Sequence, residues 1–163
     1  MKIREIKLDD ADQIAKLYNH YILNTHYTFE TEPLRGENMQ PRIQKIRKRH
    51  PFLVAEESEV ILGYAYAEQF KLRDAYKYAA EVSVYVRNDS KQRGVGSQLY
   101  KKIFKELKNT NIHAIIAGIA LPNVPSIKFH EKLGFKKVAH FEEVGYKLGR
   151  WVDVGYWELL NLG

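Results

Sequence analysis

The chain has no cysteine among its 163 residues. This excludes disulfides, thiolate metal ligands and a thiol nucleophile, so any group transfer it performs cannot pass through an S-acyl enzyme. Proline occurs five times and tryptophan twice, and no low-complexity tract, internal repeat or Pro/Gly-rich linker divides the chain. No apolar stretch reaches the length of a membrane span, and Met1 to Asp10 alternate charge with aliphatics where a signal peptide would be continuously apolar. A cytoplasmic protein with no membrane partner is expected, folded as one domain over residues 1–163. Negative charge is the scarcer sign, with 20 Asp and Glu against 26 Lys and Arg and a net charge of +6. That balance suits a polyanionic ligand as well as a solvated basic surface. The densest basic run, Arg42 to His50, carries Ile43 and Ile46 three apart, the stripe of a surface helix. No zinc-finger spacing, RNP motif or helix-turn-helix accompanies it, so nucleic acid is not the expected partner.

What is present alternates between strand and helix periods. Ile3, Ile6 and Leu8 suggest a first strand, and Asp9 or Asp10 can cap a helix carrying Ile14, Leu17, Tyr18 and Tyr21. Residues 24–35, with Pro33, Tyr27 and Phe29, read as a loop into the basic helix. Phe52 to Ala55 and Val60 to Ala67 form an antiparallel hairpin, and a strand over about 79–87 feeds a glycine turn. The following helix places Leu99, Ile103, Phe104 and Leu107 on one face, and the apolar run Ile112 to Leu121 is a central strand covered on both sides. A helix capped by Asn123 runs from the Pro122–Ser126 segment to Gly134. The tail closes as a hairpin through Val138 and Phe141, a turn near Gly145–Gly149, and Trp151, Val154 and Trp157. The result is a mixed α/β layer structure.

The glycine turn carries the chemistry. Val82 to Val86 precede Gln92-Arg93-Gly94-Val95-Gly96-Ser97, and a helix follows. Glycines at 94 and 96 let a ligand approach the backbone, and the first amides of the helix have no intrahelical partners, so a phosphate would be held there by N–H groups. A P-loop would need a Lys after its second glycine, and a dinucleotide fingerprint a third glycine where Leu99 stands. The spacing alone describes either an anion cradle or a tight turn of purely steric origin.

Three segments in order resemble the GNAT superfamily of N-acetyltransferases: Val84-Tyr85-Val86 with the Gln92 to Ser97 turn, Pro122-Asn123 with Ser126, and His130 to Phe135 ending in Leu-Gly-Phe. Tyr18 to Tyr21, Thr31-Glu32-Pro33, Ala75-Tyr76 before Glu81, and the string Val144 to Trp157 are similar to the phosphinothricin and methionine sulfoximine acetyltransferase branch. The resemblance covers about Ile3 to Glu158. It implies a mixed, mostly antiparallel sheet with a central splayed parallel pair and helices on both faces. Acetyl-CoA is the implied co-substrate, with no metal. Its pantetheine would lie along the backbone of Val84, Tyr85 and Val86 and beside Asn123 and Ser126, and its pyrophosphate on Gln92, Arg93, Gly94, Val95, Gly96 and Ser97. A homodimer, with the aromatic closing hairpin contributing, is implied in the same way.

A thioester is already activated, so transfer to an amine needs the amine neutral and aimed, and a base to take its proton. Glu81, on the face shared by residues 83 and 85, is the base that the resemblance implies, and a strand-end glutamate paired with Lys or Arg is the other reading of that residue. The Val86 N–H would meet the developing oxyanion. His130 stands where many superfamily members place a tyrosine that protonates the departing thiolate, and otherwise reads as a helix-face histidine bonded to backbone. Arg73 and Tyr76 match branch positions that contact the acidic end of the acceptor, and Phe29 is expected to wall its pocket. The expected acceptor is a small amino-acid-like amine of the phosphinothricin or methionine sulfoximine type. A peptide N-terminus or a polyamine, or a non-catalytic acetyl-CoA-binding role, are the alternatives.

Overall fold

The computed structural model describes residues 1–90 and 94–160. Seven strands form one sheet in the order β1-β2-β3-β4-β5-β7-β6. They are β1 (Lys2–Glu5), β2 (Phe52–Glu57), β3 (Val60–Gln69), β4 (Ala79–Val86), β5 (Ala114–Ala120), β6 (Lys136–Lys147) and β7 (Arg150–Leu160). Four α-helices accompany them: α1 (Ala11–Asn24), α2 (Gly36–Arg47), α3 (Val95–Leu107) and α4 (Val124–Lys132). Every neighbouring strand pair is antiparallel except β4 with β5. No helix among the described residues is long and apolar enough to cross a membrane.

Two-residue alternation divides the core into two layers. Leu53 and Ala55 of β2 face α3, where Val95, Leu99, Ile103 and Leu107 are buried, and Ile127 and Phe129 of α4 pack on the same layer. Phe52 and Val54 face α1 and α2 with Ile14, Ile22, Met39 and Ile43. Helices therefore lie on both faces, but α1 and α2 pack over β2, β3 and β4 and leave the β5-β7-β6 half of their face without a helix.

The sheet splits at β4 and β5, the one parallel pair among the described residues. β4 and β5 pair from Ala79↔Ala114 to Glu81↔Ile116 and no further. β4 then stays with β3 as far as Gly63↔Val86, while β5 follows β7 to Ala120↔Val154. The Arg87 N–H donates to the Leu62 carbonyl at 2.8 Å, which makes Gly63↔Val86 a pair without mutual hydrogen bonds. By alternation the main-chain groups of Val84 and Val86 point away from β3, into the split.

Three local expectations are corrected. The first strand stops at Glu5, and Leu8 begins a 3-10 turn, Leu8–Asp10. Asp10 precedes α1 but does not cap it with its side chain: the carboxylate accepts the Lys7 N–H at 2.7 Å and both terminal nitrogens of Arg4 at 2.7 and 2.9 Å. The closing turn is only Leu148-Gly149, both in the left-handed region (φ 51° and 76°), and Gly145 lies within β6 opposite Val152. β7, the later strand, takes the inner place beside β5.

Arg4 also binds Glu56 through Nε at 2.5 Å and so ties β1 to β2 and to the start of α1. Burial works to raise the Asp10 carboxyl, but Arg4 and the Lys7 amide outweigh it and hold the group below its ordinary 3.8. Stability from this pairing is present above pH 3.8 and lost as pH falls through the lower folded value. Arg4→Met is expected to lose about 2 kcal/mol at pH 7 from the unpaired Asp10. Urea midpoints measured across pH should show the gap to wild type narrowing in acid.

Candidate active site

The split becomes a binding cleft because the strands that border it are each satisfied on their outer side. A cavity of about 460 Å³ lies between β4, α3 and α4, and a second of about 510 Å³ lies on the other face, beside the 24–35 loop. Tyr27, Gly118 and Ala120 border both, so the two connect through the sheet at the split.

The first cavity gathers Val84, Tyr85, Val86, Gly94, Val95, Gly96, Ser97, Asn123, Ser126 and His130. Gly94 takes φ 78°, a conformation that glycine adopts without strain, and precedes α3. The first intrahelical bond runs from the Gln98 N–H to the Gly94 carbonyl at 3.0 Å, so the amides of Val95, Gly96 and Ser97 project from the helix start. A methyl on Gly96 would touch Phe129, Val84 and Val86 at 3.7 Å, narrowing the cleft floor. The Asn123 side chain accepts the Ser126 N–H at 3.2 Å and caps α4, as the Pro-rich start of that helix suggested. Gln92 and Arg93 lie outside the described residues. Tyr85 borders the cavity, but its ring packs on the α1 face at 5.0–5.3 Å from Tyr18, Tyr21 and Tyr64.

His130 is buried, 4% exposed. Its Nδ1 lies 2.8 Å from the Ser126 carbonyl, which can only accept, so Nδ1 carries the proton and Nε2 receives the Tyr100 hydroxyl at 3.2 Å. Burial lowers the His130 pKa below 6.5 against the opposing pull of the Ser126 bond, and the ring is neutral at pH 7.

Glu81 and Phe29 meet in the second cavity with Tyr27, Gly118, Phe141, Val144, Val154 and Tyr156. Glu81 stands where the parallel pairing ends, and burial, helped by the charge of Glu68 opposite it on β3, pushes its pKa up to about 7. A methyl on Gly118 would stand 3.1 Å from the Glu81 Oε1 and 3.3 Å from the Tyr156 ring. Glycine at this point keeps the passage between the cavities open.

Arg73 and Tyr76 border neither cavity. Both are exposed at the 3-10 turn Asp74–Tyr76 that precedes β4. Tyr76 reaches the site only through Phe70, whose ring is 5.9 Å from Tyr76 and 6.4 Å from Tyr156. Tyr27, singled out with Phe29 as an aromatic of the 24–35 loop, borders both cavities. Sequence reasoning missed Tyr21, whose hydroxyl donates to the Val86 carbonyl at 2.5 Å, and Tyr100, Gly118, Phe141, Val144 and Tyr156. A glycine inside the apolar run Ile115-Ile116-Ala117-Gly118-Ile119 was the one legible signal, since such a glycine marks a close approach. No cluster of three metal-ligating side chains occurs among the described residues.

The architecture that carries this cleft has counterparts among known proteins. The model of the acetyltransferase (GNAT) domain matches residues 3–155. The chain is 35% identical over 158 residues to the phosphinothricin N-acetyltransferase of Streptomyces viridochromogenes, covering 97% of this chain and 86% of that one. It is 32% identical to the L-methionine sulfoximine/L-methionine sulfone acetyltransferase of Salmonella typhimurium, over 98% of this chain and 94% of that one. Its fold superposes with a TM-score of 0.93 on a GNAT superfamily phosphinothricin acetyltransferase from Sinorhizobium meliloti in complex with acetyl-CoA, at 28% identity over 98% and 87% of the two chains. The chain belongs to the GNAT acetyltransferase family and is an acetyl-CoA-dependent N-acetyltransferase.

Proposed function

We propose that this domain transfers the acetyl group of acetyl-CoA directly to the amino group of a small amino-acid-like acceptor, of the phosphinothricin or methionine sulfoximine type, with Glu81 as general base. The observation that carries this reading is the position of Glu81: it faces the second cavity at the point where that cavity meets the cofactor cleft. The pyrophosphate would rest on the amides of Val95, Gly96 and Ser97, and the pantetheine along Val84 and Val86. The bound thioester supplies an activated acyl group, and the remaining work is done by the chain's own residues. The Glu81 carboxylate would accept one proton of the ammonium so that the amine can attack, and the Val86 N–H would face the oxygen on which negative charge grows. As the C–N bond forms the C–S bond breaks, CoA leaves as a thiolate, and the second amine proton goes to that thiolate.

His130 fits a structural part in this scheme better than that of proton donor. Neutral, with Nδ1–H on a carbonyl and Nε2 occupied by Tyr100, it joins α4 to α3 and has no proton aimed at the cleft. Phe29 walls the acceptor pocket, and Arg73 and Tyr76 would meet an acidic group on an acceptor long enough to extend toward the Phe70–Tyr156 pair. The relatives' names support the amino-acid class of acceptor. The closing hairpin exposes Tyr146 of the edge strand β6, Leu148 of the turn and Trp151 of β7 at 60–61%, which supports a homodimer built on this surface. A light-scattering mass of one chain would overturn that assembly.

A group that must accept a proton works only when ionised, so turnover should rise through about pH 7 and level off above it. Glu81→Gln should remove this limb and lower kcat about 10²-fold. A Gln variant with an unchanged profile would remove the assignment. Glu68 is the charged group that acts on Glu81, Lys45 and Arg42 act in turn on Glu68, and the hydroxyls of Tyr66 and Tyr156 are near Glu81. Glu68→Gln takes away the neighbouring negative charge, and the limb should then shift to lower pH. For the acceptor, initial rates on phosphinothricin, L-methionine sulfone, spermidine and a peptide N-terminus separate the classes. Arg73→Met should raise KM for phosphinothricin and leave spermidine unaffected, and equal effects on both would exclude Arg73 from acceptor binding.

A further inference from the structure

The half of the sheet that carries the acceptor pocket has no helix above it, so its wall must be supported by other means. Thr28 is buried between Tyr27 and Phe29, which both border the pocket. Its hydroxyl lies 2.5 Å from that of Tyr18 on α1, and its carbonyl accepts the Lys147 ammonium at 2.5 Å. Lys147 is 4% exposed, an unusual position for an ammonium unless it is bonded. Two residues before it, Gly145 leaves the space that Phe29 occupies: a methyl there would stand 2.4 Å from two carbons of the Phe29 ring.

The β6 backbone is shaped to present these two residues. Between Phe141↔Val154 and Gly145↔Val152, four steps on β6 match two on β7, with Glu143 at φ 49° and its N–H on the Asp153 carboxylate at 2.8 Å. This bulge turns Phe141 and Val144 toward the pocket and brings Gly145 and Lys147, both buried, under the loop.

We propose that Gly145 and Lys147 are positioning residues for acceptor specificity: Gly145 seats the Phe29 ring as the pocket wall, and Lys147 fixes the Thr28 carbonyl that carries it. The proposal rests on the acceptor-pocket reading above. Because all its contacts lie on the acceptor face, it separates acceptor recognition from cofactor binding.

Gly145 does not have a positive φ, so Gly145→Ala adds only the clash with Phe29. With L-methionine sulfone as acceptor, Gly145→Ala, Lys147→Met and Phe29→Ala are each expected to lower kcat/KM about tenfold through the acceptor KM, with the acetyl-CoA KM within about twofold of wild type. The double variant Gly145→Ala/Phe29→Ala should be no worse than Phe29→Ala alone, because the added methyl then has room. Additive losses in the double variant, an unchanged acceptor KM in Phe29→Ala, or equal losses toward acceptor and acetyl-CoA would each overturn the proposal. Should Gly145→Ala fail to fold, Phe29→Ala and Lys147→Met decide it by the same split. Wild type that turns over the sulfone while these variants do not differ from it overturns this inference alone. Wild type that neither turns over nor binds, by calorimetry, any of the acceptors above overturns the acceptor-pocket reading as well.

Discussion

The parting of β4 from β5 after three paired residues is the constraint on which the site depends. A strand pair that separates leaves main-chain groups without ladder partners, and such groups are costly unless something else binds them. Here each strand keeps its other neighbour, β3 for β4 and β7 for β5, so the sheet survives as two satisfied halves. The exposed backbone of Val84 and Val86 is then available to a ligand, with the Val86 carbonyl already occupied by the Tyr21 hydroxyl. The start of α3 adds a second set of free amides, and both sets face one cleft. Main-chain groups of this kind can hold an anion without a lysine or a third glycine in the turn.

The same parting sets the electrostatics. Glu81 is the last residue of β4 paired with β5, half-buried among aromatic rings, and the loss of water raises its pKa more than the charge of Glu68 does. A carboxylate brought near 7 is a stronger base than an ordinary glutamate and is still ionised in a useful fraction of molecules at neutral pH. On the other face the same physics acts with the opposite sign on His130, because burial disfavours a charged imidazole. One environment therefore holds a proton on a carboxyl more firmly than water would, and the other keeps an imidazole neutral.

Most of the architecture was legible in periodicity. The β2–β3 hairpin, the buried β5, the Asn123 cap and the glycine start of α3 each follow from local chemistry that tertiary contacts did not override. The lining of the first cavity was legible for the same reason where it is local, in Val84 to Val86, the turn from Gly94 and the Asn123 cap. The lining of the second cavity was not. Its walls come from three distant segments, residues 27–29, the β6 bulge and Tyr156, and no spacing in sequence announces that they meet. Arg73 and Tyr76 illustrate the limit: a motif located them before β4, but the turn that carries them leaves both at the surface, outside the two cavities. Asp10 shows a smaller version, where a good capping residue was taken by Arg4 and the Lys7 amide instead.

The distribution of the helices gives this division a consequence. α3 and α4 pack on the face that forms the cofactor cleft, so a change there disturbs the core residues Val95 and Leu99 as well. α1 and α2 stop at β4, and the second cavity beyond them is bordered on its outer side by the 24–35 loop and the edge strand β6, over a floor from β4, β5 and β7. Loops and edge bulges tolerate substitution better than buried helix faces. The loop and the bulge contribute little to the two apolar layers that keep the sheet folded, so this border of the cavity can change while those layers stay intact.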